Sequence, residues 1–524
     1  MTDLASPDAP DEVAADLEPT SPRTRHAGWA LVLICMAQLM VVLDSSIANI
    51  ALPFIRDDLK IDPANLSWIV TGYALAFGGL LLLGGRLGDL FGRRRIFMTG
   101  VLIFAVASAL GGVAQNEAML LSSRGLQGLG AAMASPTALA LITTTFPAGP
   151  QRNRAFSVFA AMSGIGAAIG LILGGWLTDL DPTWGWRLTF LINVPIGLSA
   201  AYLAPKLLPD TDHHAGTLDL PGAVLGTGGL LSLVFGITHT SNVDPNTVSA
   251  INPNGTSYGW TDPLAATSMI VGAVALIAFV IVESRVKNPL LPLAIFASRT
   301  RAVAFVTMMI TPAAMFAMFF FLSLYVQNIM QYTPLRTGFA FLPFTFGIVL
   351  GATLSSRLIS HINPRFIAGT GTILAGFALF GFSRLEFGQE NYWSDIMPFV
   401  LLMSLGMGMT FVPMTLAAVH RVRTEDAGIG SGVLNTMQQV GGALGLATLS
   451  AVAAHFTTST LGDLMTADPT NPLNGSEAFA DGATHAFFVG ALMIWGASLI
   501  VWLLLNVRHT EISESETPEG VHAG

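Results

Sequence analysis

The sequence predicts an all-α, polytopic membrane protein with fourteen transmembrane helices. Of its 524 residues, 52% are hydrophobic and only 11% are charged, and long apolar segments recur along the whole chain. A soluble domain carries about 25% charged residues, and a helical membrane span needs about 20 mostly apolar residues. These observations exclude an ordinary soluble fold.

Fourteen segments meet the length requirement for a membrane span. Their predicted bounds are 28–53, 65–85, 95–114, 118–146, 154–178, 187–207, 219–239, 264–284, 302–328, 336–357, 365–383, 394–418, 428–456 and 485–507. The connections 240–262 and 457–483 contain no Lys or Arg and are rich in Asn, Gly, Pro and Thr, so we predict external loops there. Residues 1–27 are rich in Pro, Asp and Ala and are predicted to be a disordered cytoplasmic tail.

The distribution of basic residues tests this count independently. With the N-terminus in the cytoplasm, 18 of the 24 Lys and Arg fall in cytoplasmic segments and 5 in external ones, while Arg124 lies inside a span. A miscounted span would invert every later loop and remove this bias. The sequence therefore predicts a multi-pass protein of the cell (inner or plasma) membrane with both termini in the cytoplasm.

Composition and motifs exclude several functions. The net charge is −9 and the acidic residues concentrate in the two tails, whereas nucleic-acid binding needs a basic face. Cys35 is the single cysteine, so the chain can form neither an internal disulfide nor a cysteine metal site. HExxH and GxSxG patterns are absent from the predicted spans, and the sequence contains no P-loop. We expect no enzyme activity, no catalytic residues, no metal and no cofactor.

One carboxylic acid interrupts the first span. The stretch "VLICMAQLMVVLDSSIANIALPFI" (32–55) is almost continuously apolar but contains Asp44. An Asp near the centre of a bilayer costs roughly 2.5–3.5 kcal/mol, and such residues are usually functional. The alternative is a structural group, permanently neutral or salt-bridged, that bonds locally to Ser45 or Asn49.

Arg124 is the matching basic residue of the fourth span. It lies about one turn into "LLSSRGLQGLGAAMASP" (120–136), with Gln127 and Gly128 at i+3 and i+4 on its face. An arginine inside a span is a functional candidate by default. The alternative is that its side chain snorkels to the outer interface.

Two glycine-containing stretches suggest close helix packing and a tight turn. In "GGRLGDLFGRRRIF" (84–97), Gly85, Gly88 and Gly92 permit a turn, while Asp89 can bind an arginine and Arg93–Arg95 can meet anionic headgroups. The alternative is a generic basic loop at the membrane edge. In "GIGAAIGLILGGWL" (164–177), Gly166, Gly170 and Gly174, followed by Gly175, form a smooth helix face.

Taken together and in this order, these stretches resemble the major facilitator superfamily and, within it, the fourteen-helix drug:proton antiporters. "LDSSIANIALP" (43–53) is similar to the first-helix signature of that subfamily, and "GWRLTFLINVPIG" (185–197), "NPLLPLAIF" (288–296) and "NTMQQVGGALG" (435–445) also resemble its members. The segments "ASPTALALITTTFPAGPQRN" and "VFAAMSGIG" are similar to the mycobacterial EfpA-like branch.

The resemblance implies two six-helix bundles, 28–207 and 300–507, with an inserted transmembrane hairpin and its linkers at 208–299 and a cytoplasmic tail at 508–524. The bundles would rock around a central cavity to expose it alternately to each side. Asp44 and Arg124 would couple transport to protons, because both their spans line the cavity in this family. Gly85, Asp89, Gly92, Arg93 and Arg94 would form a conformational latch against the start of span thirteen, near Thr424–Gly428.

The implied function is proton-coupled efflux of amphipathic, often cationic drugs. The alternative is export or flipping of a lipid or another endogenous amphiphile. Expected partners are small amphipathic substrates, protons and membrane lipids, with no nucleic acid, and the chain is expected to act as a monomer. Polar or adaptable side chains in the second half are the candidates for substrate binding: Tyr325, Gln327, Met407, Asn435, Gln438 and Gln439.

The chain departs from the family pattern in four places. Leu171 stands where the fifth-helix antiporter motif has proline, Gln438 stands where many members have arginine, and Ser360 stands opposite Asp89 in the second copy of the loop motif. The predicted spans nine to fourteen contain no acidic residue except Asp395, the second residue of span twelve. Glu283 and His239 fall at the ends of spans and are weaker candidates for a proton path.

Overall fold

A computed structural model describes residues 27–147, 149–210, 217–244, 247, 256–388, 391–420, 427–509 and 511. The helices are α1 (Ala27–Leu59), α2 (Trp68–Phe91), α3 (Arg93–Gly112), α4 (Glu117–Thr145), α5 (Pro150–Leu180), α6 (Gly185–Leu191), α7 (Asn193–Leu207), α8 (Leu220–His239), α9 (Pro263–Glu283), α10 (Arg299–Asn328), α11 (Pro334–Ala340), α12 (Leu342–Leu358), α13 (Pro364–Phe382), α14 (Met397–Val419), α15 (Ala427–Ala467) and α16 (Asn474–Leu504). A 3₁₀ helix, Leu293–Ala297, precedes α10, and a π-helical turn, Tyr392–Ile396, precedes α14. Strands β1 (Val243–Asp244) and β2 (Thr256–Ser257) pair antiparallel in the loop after α8.

These helices make fourteen membrane spans in the described part of the chain, which confirms the predicted count. The sixth span comprises α6 and α7, and the tenth comprises α11 and α12. Each of the two breaks is followed by a proline, Pro195 or Pro343. Proline has no backbone N–H to donate to the carbonyl four residues earlier, so it interrupts a helix at this point.

Three sets of helices pack together. We call α1–α7 the N-terminal half, α10–α16 the C-terminal half, and α8–α9 the hairpin. Two large clusters of buried apolar side chains hold the halves: one lies mainly within the N-terminal half, and the other lies mainly in the C-terminal half and extends to the ends of α1 and α2. The halves meet where α2 packs on α15, α5 on α11 and α1 on α10. The hairpin packs on both α2 and α15.

The last external connection is shorter than predicted. We expected a loop at 457–483, but α15 continues to Ala467 and α16 begins at Asn474. The 20-residue hydropathy rule finds only the part of a helix that crosses apolar lipid, and these two helices extend beyond it. A hydrogen bond connects the two extensions: Thr460 Oγ1 of α15 donates to Asp481 Oδ2 of α16 at 2.7 Å. Two acidic residues, Glu477 and Asp481, therefore belong to the fourteenth span, where we expected none.

Glycines set the closest helix approach in the N-terminal half. A Cβ at Gly130 of α4 would lie 2.7 Å from the backbone nitrogen of Phe104 in α3, and a Cβ at Gly100 of α3 would lie 2.9 Å from the Gly130 carbonyl oxygen. Both distances are well below van der Waals contact. Helices α3 and α4 can therefore touch backbone to backbone only because these two positions carry no side chain.

We predict that Gly130→Ala destabilises the protein while Gly125→Ala does not. A new methyl group at Gly130 must push α3 away, and overpacking typically costs about 1–3 kcal/mol. A Cβ at Gly125, on the same helix, has no atom within 4 Å. Thermal unfolding of the two purified variants in the same detergent measures the difference. Equal melting temperatures would show that the α3–α4 contact is not tight.

Candidate functional site

Asp44 lies in the middle of α1 with its side chain only 2% exposed. Its carboxylate accepts three hydrogen bonds from other helices. Arg124 Nη1 donates to Oδ2 at 2.6 Å, and Gln127 Nε2 and Asn193 Nδ2 donate to Oδ1 at 2.9 and 3.0 Å. A carboxylate in this environment is compensated by one positive charge and two amide donors, which is what burial of a charge requires.

Arg124 is equally buried, with 1% of its side chain exposed. It forms an ion pair with Asp44, its Nε donates to the Ile69 carbonyl of α2 at 2.8 Å, and its Nη1 also contacts Gln127 Oε1 at 3.0 Å. The guanidinium carbon lies 4.4 Å from the centre of the Tyr73 ring. Arg124 therefore points into the helix bundle, and the alternative that it snorkels to the interface is wrong.

The network continues into α3 and the break in the sixth span. Ser108 of α3 accepts hydrogen bonds from Gln127 and Asn193, both at 3.0 Å, and donates to the Phe190 carbonyl at 2.8 Å. A helix end leaves carbonyl groups without partners, and Ser108 satisfies the one at Phe190. The break in the sixth span thus leaves the Phe190 carbonyl accessible to the Ser108 hydroxyl. It also places Asn193 at the start of α7, beside Asp44.

Sequence reasoning found only part of this network. Asp44, Arg124 and Gln127 were singled out, whereas Ser108, Asn193 and Tyr73 were not. An isolated serine or asparagine in an apolar span was the available signal, but its partner cannot be read from the chain. The alternative in which Asp44 bonds locally to Ser45 or Asn49 is not what the structure shows, because Ser45 donates to the Val42 carbonyl and Asn49 to the Ser45 carbonyl.

The glycines of α5 pack against α1 beside Asp44. A Cβ at Gly166 would lie 3.0 Å from Leu39 Cδ1, one at Gly170 would lie 2.8 Å from Ser46 Cβ, and one at Gly174 would lie 3.0 Å from Ile47 Cα. Gly175 faces the other half of the molecule, where a Cβ would lie 2.5 Å from the Pro334 carbonyl of α11. One stripe of α5 thus contacts the helix that carries Asp44, and its end contacts the C-terminal half.

The loop between α2 and α3 forms a compact turn. Asp89 and Arg93 form an ion pair at 3.1 Å, and Arg93 Nη1 also contacts the Ala140 carbonyl of α4 at 3.4 Å. Gly92 has a φ of 96°, a conformation that residues with a Cβ rarely adopt.

The rest of the predicted latch lies around this turn. Arg94 pairs with Asp210 at 2.7 Å and donates to the Leu208 carbonyl at 3.2 Å. A Cβ at Gly85 would contact Pro136 of α4 at 3.7 Å, an ordinary packing distance. Thr424–Asp426, part of the partner segment that the resemblance implies, lie outside the described residues.

A cavity of about 930 Å³ separates the two halves at the end of the molecule where α1 ends and α2 begins. Phe54 contributes to its wall from the N-terminal half, and Phe320, Leu324 and Phe479 from the C-terminal half. Charged side chains also line the cavity: Arg56, Asp57, Asp62 and Asp179. The wall thus combines aromatic and aliphatic side chains with uncharged polar ones, three carboxyl groups and one guanidinium group.

One of the six substrate-binding candidates lines this cavity. Gln327, 7% exposed, donates through Nε2 to the Ile50 carbonyl at 3.2 Å, while its Oε1 has no partner among the described residues. Tyr325 and Met407 are fully buried among packed helices. Asn435, Gln438 and Gln439 lie on α15 away from this cavity, and Asn435 is exposed and bonds to the Ser431 carbonyl. The structure therefore does not bring the six residues together.

Fourteen helical spans, a cavity between the halves and a buried acid–arginine pair define a polytopic membrane transporter. The chain belongs to the major facilitator superfamily, whose model matches residues 34–446.

Among solved structures, a bacterial homologue of the human lysosomal transporter Spinster shares the fold, with a TM-score of 0.62 and 14% identity over 96% of this chain and 100% of that one. The xylose transporter XylE of E. coli does so with a TM-score of 0.56 and 12% identity over 93% of this chain and 99% of that one.

Several relatives match almost the full chain. The puromycin resistance protein pur8 of Streptomyces alboniger is 40% identical over 93% of both chains. The MFS-type transporter EfpA of Mycobacterium tuberculosis is 38% identical over 94% of this chain and 90% of its own. The cephamycin export protein CmcT of Amycolatopsis lactamdurans is 35% identical over 84% of this chain and 88% of its own. The predicted resemblance to fourteen-helix drug transporters is confirmed.

We predict that Arg124→Gln is more destabilising than the double variant Asp44→Asn/Arg124→Gln. The single change leaves a buried carboxylate without its counter-charge, which costs about 3–5 kcal/mol, whereas the double change removes both charges. Unfolding in detergent, followed by intrinsic fluorescence, measures both variants. A double variant as unstable as the sum of its single variants would show that the two charges are not coupled.

Proposed function

We propose that this transporter exports amphipathic, often cationic compounds in exchange for protons by alternating access. The observation that carries the proposal is the Asp44 carboxylate, paired with Arg124 inside the helix bundle. Export as the direction is supported by the relatives, several of which are named as resistance or export proteins. Export of a lipid or another endogenous amphiphile is the alternative substrate class.

Asp44 is the proposed proton carrier and Arg124 its fixed partner. Arginine does not lose its proton in proteins, so only the carboxyl group of the pair can change charge. Protonation of Asp44 would replace an ion pair by a weaker neutral hydrogen bond and leave the guanidinium uncompensated. This change would weaken the contact between α1 and α4. Because α5 packs on α1, a shift of α1 would also move α5 and so alter the contact of α5 with α11. The coupling thus runs from one carboxyl group to the interface between the halves.

The cavity between the halves is the proposed compartment from which substrate leaves. Its aromatic and aliphatic side chains suit the apolar part of an amphiphile. Asp57, Asp62 and Asp179 give the compartment negative charge, which attracts cations. Exchange of one proton for one monovalent cation moves no net charge, and a gradient of one pH unit supplies about 1.36 kcal/mol.

The two remaining motifs are proposed to control the rocking of the halves. The Asp89–Arg93 turn lies at the end of α2, the helix that packs on α15. Leu171 of α5 retains the backbone N–H that the proline of the family motif would lack. A Cβ at Gly338 of α11 would collide with the Leu171 carbonyl. We propose that α5, although it lacks the proline of the family motif, still supports the exchange of substrate for protons. The reason is that Gly338 of α11 makes the close contact with α5.

The remaining properties follow from this function. The protein is proposed to act as a monomer in the cell membrane with both termini in the cytoplasm, as the basic residues predict. It carries out transport and no chemical reaction, so no catalytic residue is assigned. The end of the molecule at which the cavity opens would then face outward.

We predict that Asp44→Asn abolishes proton-driven transport but leaves substrate binding intact. Asparagine keeps the size of aspartate and one acceptor oxygen, but its Nδ2 donates where the carboxylate accepts, and it cannot carry a proton. In liposomes with an imposed pH gradient, wild type should concentrate a cationic dye, whereas the variant should not respond to the gradient. Equilibrium dye binding to both purified proteins should agree within about threefold, since Asp44 does not line the cavity.

The matched control is Asp463→Asn, which removes a carboxyl group from an exposed position on α15. It should transport as wild type does. If Asp44→Asn follows the gradient as well, Asp44 is structural and the proton-coupling proposal fails. If wild type ignores the gradient but native mass spectrometry shows tightly bound lipid, the lipid alternative replaces drug export.

We predict that Ala454→Trp blocks export by filling the cavity. Ala454 is half-buried on α15 and lines the cavity, so an indole there occupies space needed by the substrate. Export should fall at least about tenfold, a loss equivalent to roughly 1.4 kcal/mol. Ser459→Trp, on an exposed face of the same helix and outside the cavity, is the control. Unchanged export by Ala454→Trp would mean that the substrate leaves by another path.

A further inference from the structure

Two carboxyl groups are buried together at the base of the hairpin, on the side of the molecule where α1 begins. Asp219 precedes α8 and Glu283 is the last residue of α9, and each side chain is 3% exposed. They are far from Asp44 in the fold, on helices outside the two halves. The proposed transport mechanism does not use them.

Each carboxyl group is satisfied through only one oxygen. Asp219 Oδ1 accepts from the Gly222 backbone N–H at 2.8 Å and so caps α8. Glu283 Oε2 accepts from the Leu291 backbone N–H at 3.0 Å. Asp219 Oδ2 and Glu283 Oε1 are both buried without a hydrogen-bond partner among the described residues.

The two unsatisfied oxygens face the same small space. A Cβ at Gly222 would lie 2.5 Å from Asp219 Oδ2 and 2.9 Å from Glu283 Oε1. The absence of a side chain at Gly222 therefore leaves room for the two oxygens to approach each other. A buried oxygen that lacks a donor is costly, and here two such oxygens lie within 2.9 Å of one point, the Cβ position of Gly222.

The described part of the chain offers the two carboxyl groups no paired basic side chain. Neither carboxyl group forms an ion pair with a described residue. The basic residues of the adjoining linker, Arg285 and Lys287, are exposed, and Asn288 donates to Thr217 Oγ1 at 3.3 Å. Two ionised carboxylates here would place like charges together in a buried position, an arrangement in which one group keeps its proton.

We propose that Asp219 and Glu283 form a proton-binding site in which one proton is shared between Asp219 Oδ2 and Glu283 Oε1. The proton comes from water on that side of the membrane and leaves the pair with a single negative charge. The bond that forms is O–H···O between the two carboxyl groups, so each unsatisfied oxygen gains a partner. Glu283 then keeps its orientation toward the Leu291 N–H.

The shared proton stabilises the position of the linker (284–298), which joins the hairpin to the C-terminal half. Leu291 and Ile295 of the linker belong to a buried cluster with residues of α10, α14 and α15. The Ile295 carbonyl accepts from Arg301 Nε of α10 at 2.8 Å. Loss of the shared proton puts two negative charges in contact, separates the carboxyl groups and releases the linker from Glu283. The linker is therefore held at low pH and freed as the pH rises.

Infrared spectroscopy and hydrogen exchange of the full-length protein in nanodiscs test this proposal. Wild type should show the C=O stretch of a protonated carboxylic acid at neutral pH, and Glu283→Gln and Asp219→Asn should each remove that band. Exchange of peptides covering 284–292 should rise about tenfold per pH unit beyond the intrinsic increase once the pair ionises. Glu283→Gln, whose amide can donate to Asp219 Oδ2, should show only the intrinsic increase.

Asp210→Asn is the control, because Asp210 is an exposed carboxyl group that pairs with Arg94. It should keep both the band and the pH-dependent exchange. A band that survives in both Glu283→Gln and Asp219→Asn overturns the proposal. So does a linker that becomes protected only when sodium or magnesium is added, because a cation would then hold the pair. The test uses no substrate, so it stands or fails separately from proton-coupled export.

Discussion

The ion pair between Asp44 and Arg124 is the constraint on which the N-terminal half depends. A charge among apolar helices is tolerated only if it is paired and hydrogen-bonded. The partners come from separate elements: α1 carries the acid, α4 the arginine and a glutamine, α2 a backbone carbonyl, α3 a serine and α7 an asparagine. Displacing any of these helices would leave a buried group unsatisfied, so the pair fixes their relative positions.

Glycine makes this arrangement sterically possible. The carboxylate can reach its donors only if the helices lie close together, and close contacts occur where Gly100 meets Gly130 and where Gly170 meets α1. In a membrane, helix association gains little from the hydrophobic effect, so close packing and internal hydrogen bonds supply the stability. The polar network therefore depends on the close helix packing that the glycine stripes permit.

Much of this could be predicted from the sequence. The number of spans follows from hydropathy and the basic residues, and Asp44 and Arg124 stand out because ionisable residues are rare inside spans. Ser108 and Asn193 were missed because a single polar residue in a span is common, and its importance depends on a partner about 85 residues away in the chain. Likewise, Glu283 was ranked low as a residue at a span end, because the sequence does not show that the last turn of α9 is covered by the linker.

The position of the hairpin makes the two sides of the transporter unequal. Helix α8 lies across the line where α2 meets α15 and is fixed there by a hydrogen bond from Trp68 Nε1 to Thr238 Oγ1 of 3.0 Å. Among the described residues, the hairpin does not pack closely on the line where α5 meets α11, and Gly175 and Gly338 make the closest contacts there. The two seams between the halves therefore differ. The α2–α15 seam is covered by the hairpin, whereas the α5–α11 seam is made by the halves themselves.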